Sequence, residues 1–99
     1  MTIIKEYVDR IDEELNDSKH YAEEYVLAKS ENDSYWMNRY REMAEDELRH
    51  SEYIHELAVK KIQELKSIMT PPAKMLERWE AAHVNYVDKA AWIKQMLSL

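Results

Sequence analysis

The sequence predicts an all-α fold of three helices, the first two forming an antiparallel hairpin and the third laid against it. Three observations predict it. The 99 residues include no Gly, Cys or Phe and only two Pro, so the chain is written in helix formers such as Glu, Lys, Leu, Ala and Met. Apolar residues recur in an alternating three–four step, the period of a helical core seam. Only two short stretches break that period, Ser30–Ser34 and Ser67–Pro72.

Helix 1 is predicted over about 3–30, with a seam of Ile4, Tyr7, Ile11, Glu14, Ser18, Tyr21, Tyr25 and Ala28. The break that follows, Ser-Glu-Asn-Asp-Ser, gathers side chains that compete with helical hydrogen bonds and suit caps. Helix 2, over about 34–68, continues the step through Trp36, Tyr40, Met43, Glu47, His50, Ile54 and Leu57. The second break ends in Thr70-Pro71-Pro72. Proline at 71 pushes Thr70 out of the α region, which places Thr70 as a cap and proline in the first turn of helix 3. Helix 3, over about 72–97, carries Leu76, Trp79, His83, Tyr86, Ala90, Ile93 and Leu97. Connections this short make sequential helices antiparallel neighbours, and the chain reads as one domain, 1–99.

A second apolar stripe runs through Val8, Leu15, Ala22 and Val26 of helix 1. Its counterpart in helix 2 is Met37, Ala44, Leu48, Ala58, Ile62 and Leu65. A 35-residue helix is about 52 Å long. Three helices of one small monomer cannot cover both stripes over that length, so a second copy related by a two-fold axis is expected. Helix 3 is expected over the second stripe.

Composition excludes much chemistry. Without glycine there is no Walker loop or dinucleotide-binding turn. Without cysteine there are no disulfides, iron–sulfur ligands, thiolate zinc sites or cysteine nucleophiles. The charge is −6, with 10 basic and 17 acidic residues over 1–66 against 4 and 3 over 67–99. So acidic a chain, with no basic stripe, is not expected to bind nucleic acid. It also shows no membrane-spanning run and no signal-peptide core, so a soluble cytoplasmic protein is expected.

Three polar residues occupy seam positions where hydrophobes belong: Glu14, Glu47 and His50. Glu47-Leu-Arg-His50 is a Glu-x-x-His step, which puts carboxylate and imidazole on one helical face, as bundle metal sites require. The step also occurs at Glu52/His55 and Glu80/His83. Only the first has both members in a seam and a carboxylate at equal depth on the neighbouring helix, because a hairpin turning near residue 31 sets Glu14 opposite residues 47–49. Unpaired carboxylates in an apolar seam cost several kcal/mol, so this group calls for a cation or a closed polar network. Glu52/His55 and His20 read as parts of solvated faces. His83 alone reads as a hydrogen-bonded core histidine, and Tyr7, Tyr25, Trp36 and Tyr40 read as packing.

The segments Glu14-Leu-Asn-Asp-Ser-Lys-His-Tyr21 and Met43-Ala-Glu-Asp-Glu-Leu-Arg-His50 resemble the rubrerythrin branch of the ferritin-like di-iron carboxylate proteins. In that family a ligand Glu precedes a Tyr by seven residues, and an Ala-Glu-x-Glu-x-x-His run follows about 33 residues after the Glu. Here Glu14 and Glu47 are 33 apart, and the match covers roughly 1–66. The resemblance implies Glu14 as a terminal carboxylate ligand, Glu47 as a metal bridge, His50 as a nitrogen ligand and Tyr21 as a catalytic residue near the metals. It also implies oxidation of iron(II) by oxygen or peroxide. The family carries two copies of the motif pair, whereas this chain has one, and it has no cysteines for rubrerythrin's electron-transfer iron. A homodimer would restore four carboxylates and two imidazoles, holding two iron ions per dimer, with manganese or zinc as substitutes. In this it is similar to the encapsulated ferritins, whose short chains build the site between subunits.

Two other arrangements stand beside that one. Glu80 lies 33 residues after Glu47, so a monomeric site could add Glu80 and His83 to Glu14, Glu47 and His50, although Glu80 sits beside the helix 3 seam. In the other, a non-catalytic adaptor or assembly protein keeps the same buried Glu/His network only to fix its register.

Overall fold

The structure, a computed structural model, describes residues 2–99. They form α1 (Thr2–Ser30), α2 (Ser34–Ile68) and α3 (Ala73–Leu97), with no strand among the described residues. The all-α expectation and the three spans hold.

The α1–α2 turn solves a reversal without glycine. Asn32 takes the left-handed conformation, with φ of 58°, which asparagine tolerates better than other residues carrying a Cβ. Asn32 N–H then donates to Lys29 O (3.1 Å) and Asp33 N–H to Ala28 O (2.9 Å), the paired bonds of a Schellman cap. Asp33 opens α2 as its N-cap by accepting from Trp36 N–H at 3.2 Å. One short segment therefore satisfies the end of α1 and the start of α2.

At the second break the structure corrects the cap. Pro72, not Thr70, is the N-cap of α3, with extended backbone (φ −57°, ψ 138°) and no side-chain cap bond. Two successive prolines hold the chain extended one residue longer than expected, so the helix starts at Ala73. The Pro72 carbonyl accepts from Met75 and Leu76 N–H at 3.0 and 3.3 Å.

α1 and α2 lie antiparallel, with the C-terminal turn of the longer α2 running past the start of α1. Ser18, Ala22, Ala44, Ser51 and Ala58 between them are fully buried. Residues this small let two helices approach closely, and Ser18 Oγ reaches across to donate to Ala44 O at 2.6 Å. α3 runs parallel to α1 and packs more closely on it than on α2. At one end Met75 joins Ile4, Ile62 and Leu65. At the other, Ala90, Ile93, Met96 and Leu97 join Ile11, Leu15, Ala22, Tyr25, Ala44, Leu48 and Ile54. Arg41 fastens that end, since its Nη2 donates to Leu97 O (2.6 Å) and to the Tyr25 hydroxyl (2.7 Å). The Tyr25 hydroxyl in turn donates to Leu99 O at 3.1 Å. The guanidinium sits where a cation complements the carbonyl end of a helix.

α3 thus packs on members of both stripes, Ile4, Ile11 and Tyr25 of the first seam as well as Leu15, Leu48 and Ile62 of the second, where the second alone was expected. It leaves the Trp36–His50–Leu57 flank of the hairpin bare. The molecule is a rod of 55 × 17 × 17 Å. The helix 2 seam is correspondingly divided: Ile54 is buried, Tyr40, Met43 and Glu47 are half-buried, and Trp36, His50 and Leu57 are exposed. The small-residue contact with α1 turns that row of α2 toward the edge of the hairpin.

Replacing Asn32 by valine, which resists the left-handed region, is expected to destabilise the fold by about 1–2 kcal/mol in urea unfolding. Asn32→Gly is expected to be neutral or stabilising in the same assay.

Candidate metal centre

Helical period and register build the centre. Glu14 lies one turn before Ser18 on α1, and Ser18 is fixed opposite Ala44, so Glu14 faces the next turn of α2, where Glu47 and His50 stand at a three-residue step. The ligand atoms of Glu14, Glu47 and His50 all fall within 4.8 Å of one another. His50 Nδ1 is 3.6 Å from Glu14 Oε2 and 3.9 Å from Glu47 Oε2. An ion about 2.0–2.2 Å from each donor would set neighbouring donors about 3–4 Å apart, so the group fits a cation with little movement.

Its electrostatics point the same way. Glu14 Oε2 is buried without a hydrogen-bond partner, a costly condition for a carboxylate oxygen. The Glu47 carboxyl is pushed up from its ordinary 4.5 to about 7. The main cause is a hydrogen bond to the Glu14 carboxyl, followed by burial and the charge of Glu14; His50 opposes the rise and Asp17 adds to it. Two carboxyl groups this close favour sharing a proton. Among the described residues neither Glu14 nor Glu47 forms an ion pair with Lys or Arg, and His50 is their one basic neighbour. The side chain of His50 is 53% exposed, so the group opens on the bare flank and an ion can reach it.

Tyr21 lies two turns from Glu14, about 10 Å along the axis, and stacks on Tyr40 with ring centroids 6.5 Å apart. At that distance from Glu14 it lies outside the carboxylate group rather than among its ligands.

Glu80 and His83 do not join this group. α3 meets α1 through Asn85 to Asp12 and Lys89 to Asn16, residues about half a turn around α1 from Glu14. His83 packs instead on α2, where its Nδ1 lies 2.9 Å from His55 Nε2. Glu80 is exposed beside the seam. The reading of Glu52/His55 as solvated is corrected for His55: this imidazole is half-buried, stacked on Tyr86 at 4.4 Å and tilted against Trp79 at 5.2 Å. The missed signal was its seven-residue spacing from Leu48 and to Ile62, which sets it on the side of α2 that α3 covers.

The shared proton gives a pH dependence. The folded-state value of Glu47 lies above its ordinary one. Its stabilising contribution is therefore complete below the ordinary value and is lost as pH rises through about 7. In metal-free protein, urea unfolding between pH 5 and pH 8 should show stability falling with pH, and Glu47→Gln should flatten that fall.

No protein-family model, curated protein or solved structure matches the chain, and what the Glu14–Glu47–His50 group can hold is therefore read from its own geometry.

Proposed function

We propose that the chain binds divalent iron through Glu14, Glu47 and His50, and that two copies join these half-sites into a ferritin-like di-iron carboxylate centre with ferroxidase activity. The observation that carries this reading is the unpartnered Glu14 oxygen beside a Glu47 carboxyl that holds its proton near neutrality. A network serving stability alone would be completed by a fixed cation such as Arg. This one turns acceptors toward a point that an ion fits. Carboxylates with one imidazole suit iron or manganese, and zinc can occupy such donors.

Three donors are half of a bundle site. They open on the flank that α3 leaves bare, beside exposed Trp36 and Leu57. A two-fold axis through that flank would supply four carboxylates and two imidazoles while covering those side chains. Iron(II) bound there would supply one electron per ion, so that two ions and two protons take one peroxide to two waters. The chain's part is to balance charge with Glu14 and Glu47, to release the proton they share as a cation enters, and to present the His50 Nδ1 lone pair.

One observation favours the alternative of a non-catalytic adaptor or assembly protein. His50 lies within ion-pairing distance of both carboxylates, so a protonated His50 would complete the network without metal.

Elemental analysis after Fe(II) loading, with sedimentation of the same sample, separates the two readings. The expected result is about one iron per chain in a dimer, lost in Glu47→Ala and in His50→Ala. Protein that takes up neither Fe(II) nor Mn(II), and whose Tm rises in Glu47→Leu, would sink the metal reading.

A further inference from the structure

The two remaining Glu-x-x-His steps, Glu52/His55 on α2 and Glu80/His83 on α3, converge. Of four histidines in the chain, two meet here, with His55 Nε2 and His83 Nδ1 only 2.9 Å apart. We infer that His55 and His83, with the carboxylate of Glu80, form a second metal site between α2 and α3, one that takes a borderline divalent cation such as zinc. The inference does not depend on the Glu14–Glu47–His50 reading.

The distance is the first support. With metal–nitrogen bonds of about 2.0–2.1 Å, two imidazole nitrogens on one tetrahedral ion stand about 3.3 Å apart. An ion would therefore displace the proton of the His55–His83 hydrogen bond, open the pair by about 0.4 Å and turn both nitrogen lone pairs from each other onto a common point.

The setting of the rings is the second. His55 is stacked on Tyr86 and tilted against Trp79, and His83 lies 5.1 Å from His55 by ring centroids. These walls hold both imidazoles with nitrogens facing each other before any ion arrives, which is what a neighbouring layer of packed side chains does for metal ligands. Both rings are half-buried, so the pair is sheltered yet reachable.

The third support comes from the chain's own other Glu-x-x-His step. In Glu47/His50 the imidazole turns its Nδ1 toward the carboxylate three residues earlier. His83 likewise directs Nδ1 into the pair, and Glu80 stands three residues before it, exposed and without an ion pair among the described residues. Glu52, by contrast, lies 3.8 Å from Lys94 Nζ. That leaves Glu80 as the carboxylate that would have to swing in, since only Glu14, Glu47 and His50 gather three ligand atoms among the described residues; water would complete the ion's coordination. Two nitrogens and one oxygen make a softer set than Glu14, Glu47 and His50, which is why zinc rather than iron suits this position.

The test is a ZnCl₂ titration of the full chain followed by nitrogen-15 NMR of its imidazoles. His55 Nε2 and His83 Nδ1 are expected to shift together and saturate at one zinc, with His20 unmoved. The same joint shift is expected in Glu14→Gln/Glu47→Gln, where the other centre is disabled, so the failure of one site cannot pass for failure of the other. Glu80→Gln is expected to weaken zinc binding by about tenfold or more, the scale on which even hydrogen-bond partners of ligands act. Unmoved His55 and His83 resonances in excess zinc would overturn the site, as would shifts shared equally with His20. Unchanged affinity in Glu80→Gln would overturn the carboxylate assignment.

Discussion

Everything that matters in this molecule hangs on how closely α1 and α2 approach. Ser18 donates across the gap to Ala44 O at 2.6 Å, between helices whose facing residues are alanine and serine. A side chain as short as serine reaches a carbonyl on the neighbouring helix only when the backbones are near. The bond fixes both the separation and the register, and one turn further the same register sets Glu14 against Glu47 and His50. Moving α2 along by a single residue would turn Glu47 by about 100° around its helix and disperse the group.

The same contact explains why the carboxylates are under strain. Close packing denies Glu14 Oε2 water, and no amide, hydroxyl, Lys or Arg donor replaces it. Glu47 answers by holding a proton toward neutrality. The hairpin therefore keeps two carboxyl groups together at the cost of a retained proton, a weak way to gain stability. Elsewhere the surface is laced with ordinary helical ion pairs such as Lys5–Asp9 and Arg39–Glu42. An exposed pair of that kind contributes little and disturbs little. The contrast marks the Glu14–Glu47 pair as a place where local electrostatics work against the fold.

The helices and the hairpin register were legible because both are periodic or local. The apolar step and the capping residues Asn32 and Asp33 can be read off adjacent positions, and the turn near residue 31 then dictates which turns face each other. The grouping of Glu14, Glu47 and His50 follows from that register. Less legible was the rotation of α2. Trp36 and Leu57 fall on an apolar step yet are exposed, since small residues rather than large ones decided which face lies closest to α1. His55, expected on a solvated face, is half-buried for a related reason. Its surroundings come from Trp79, His83 and Tyr86, all on α3, and sequence period says where a residue lies around its own helix but not what the third helix brings to it. The start of α3 shifted by one residue because two prolines in succession extend the chain further than one.

α3 is held by apolar anchors at its two ends, Met75 at one and Ile93, Met96 and Leu97 at the other. Its middle rests on half-buried His83, Trp79 and Tyr86. Secondary structure attached in this way opens as a unit, at less free energy than global unfolding. The hairpin retains its own Ser18 bond and Schellman cap when α3 lifts, so excursions of the third helix leave the carboxylate register in place. Hydrogen exchange in this protein should therefore resolve into two layers, with α3 amides exchanging through a shallower opening than those beside Ser18 and Ala44.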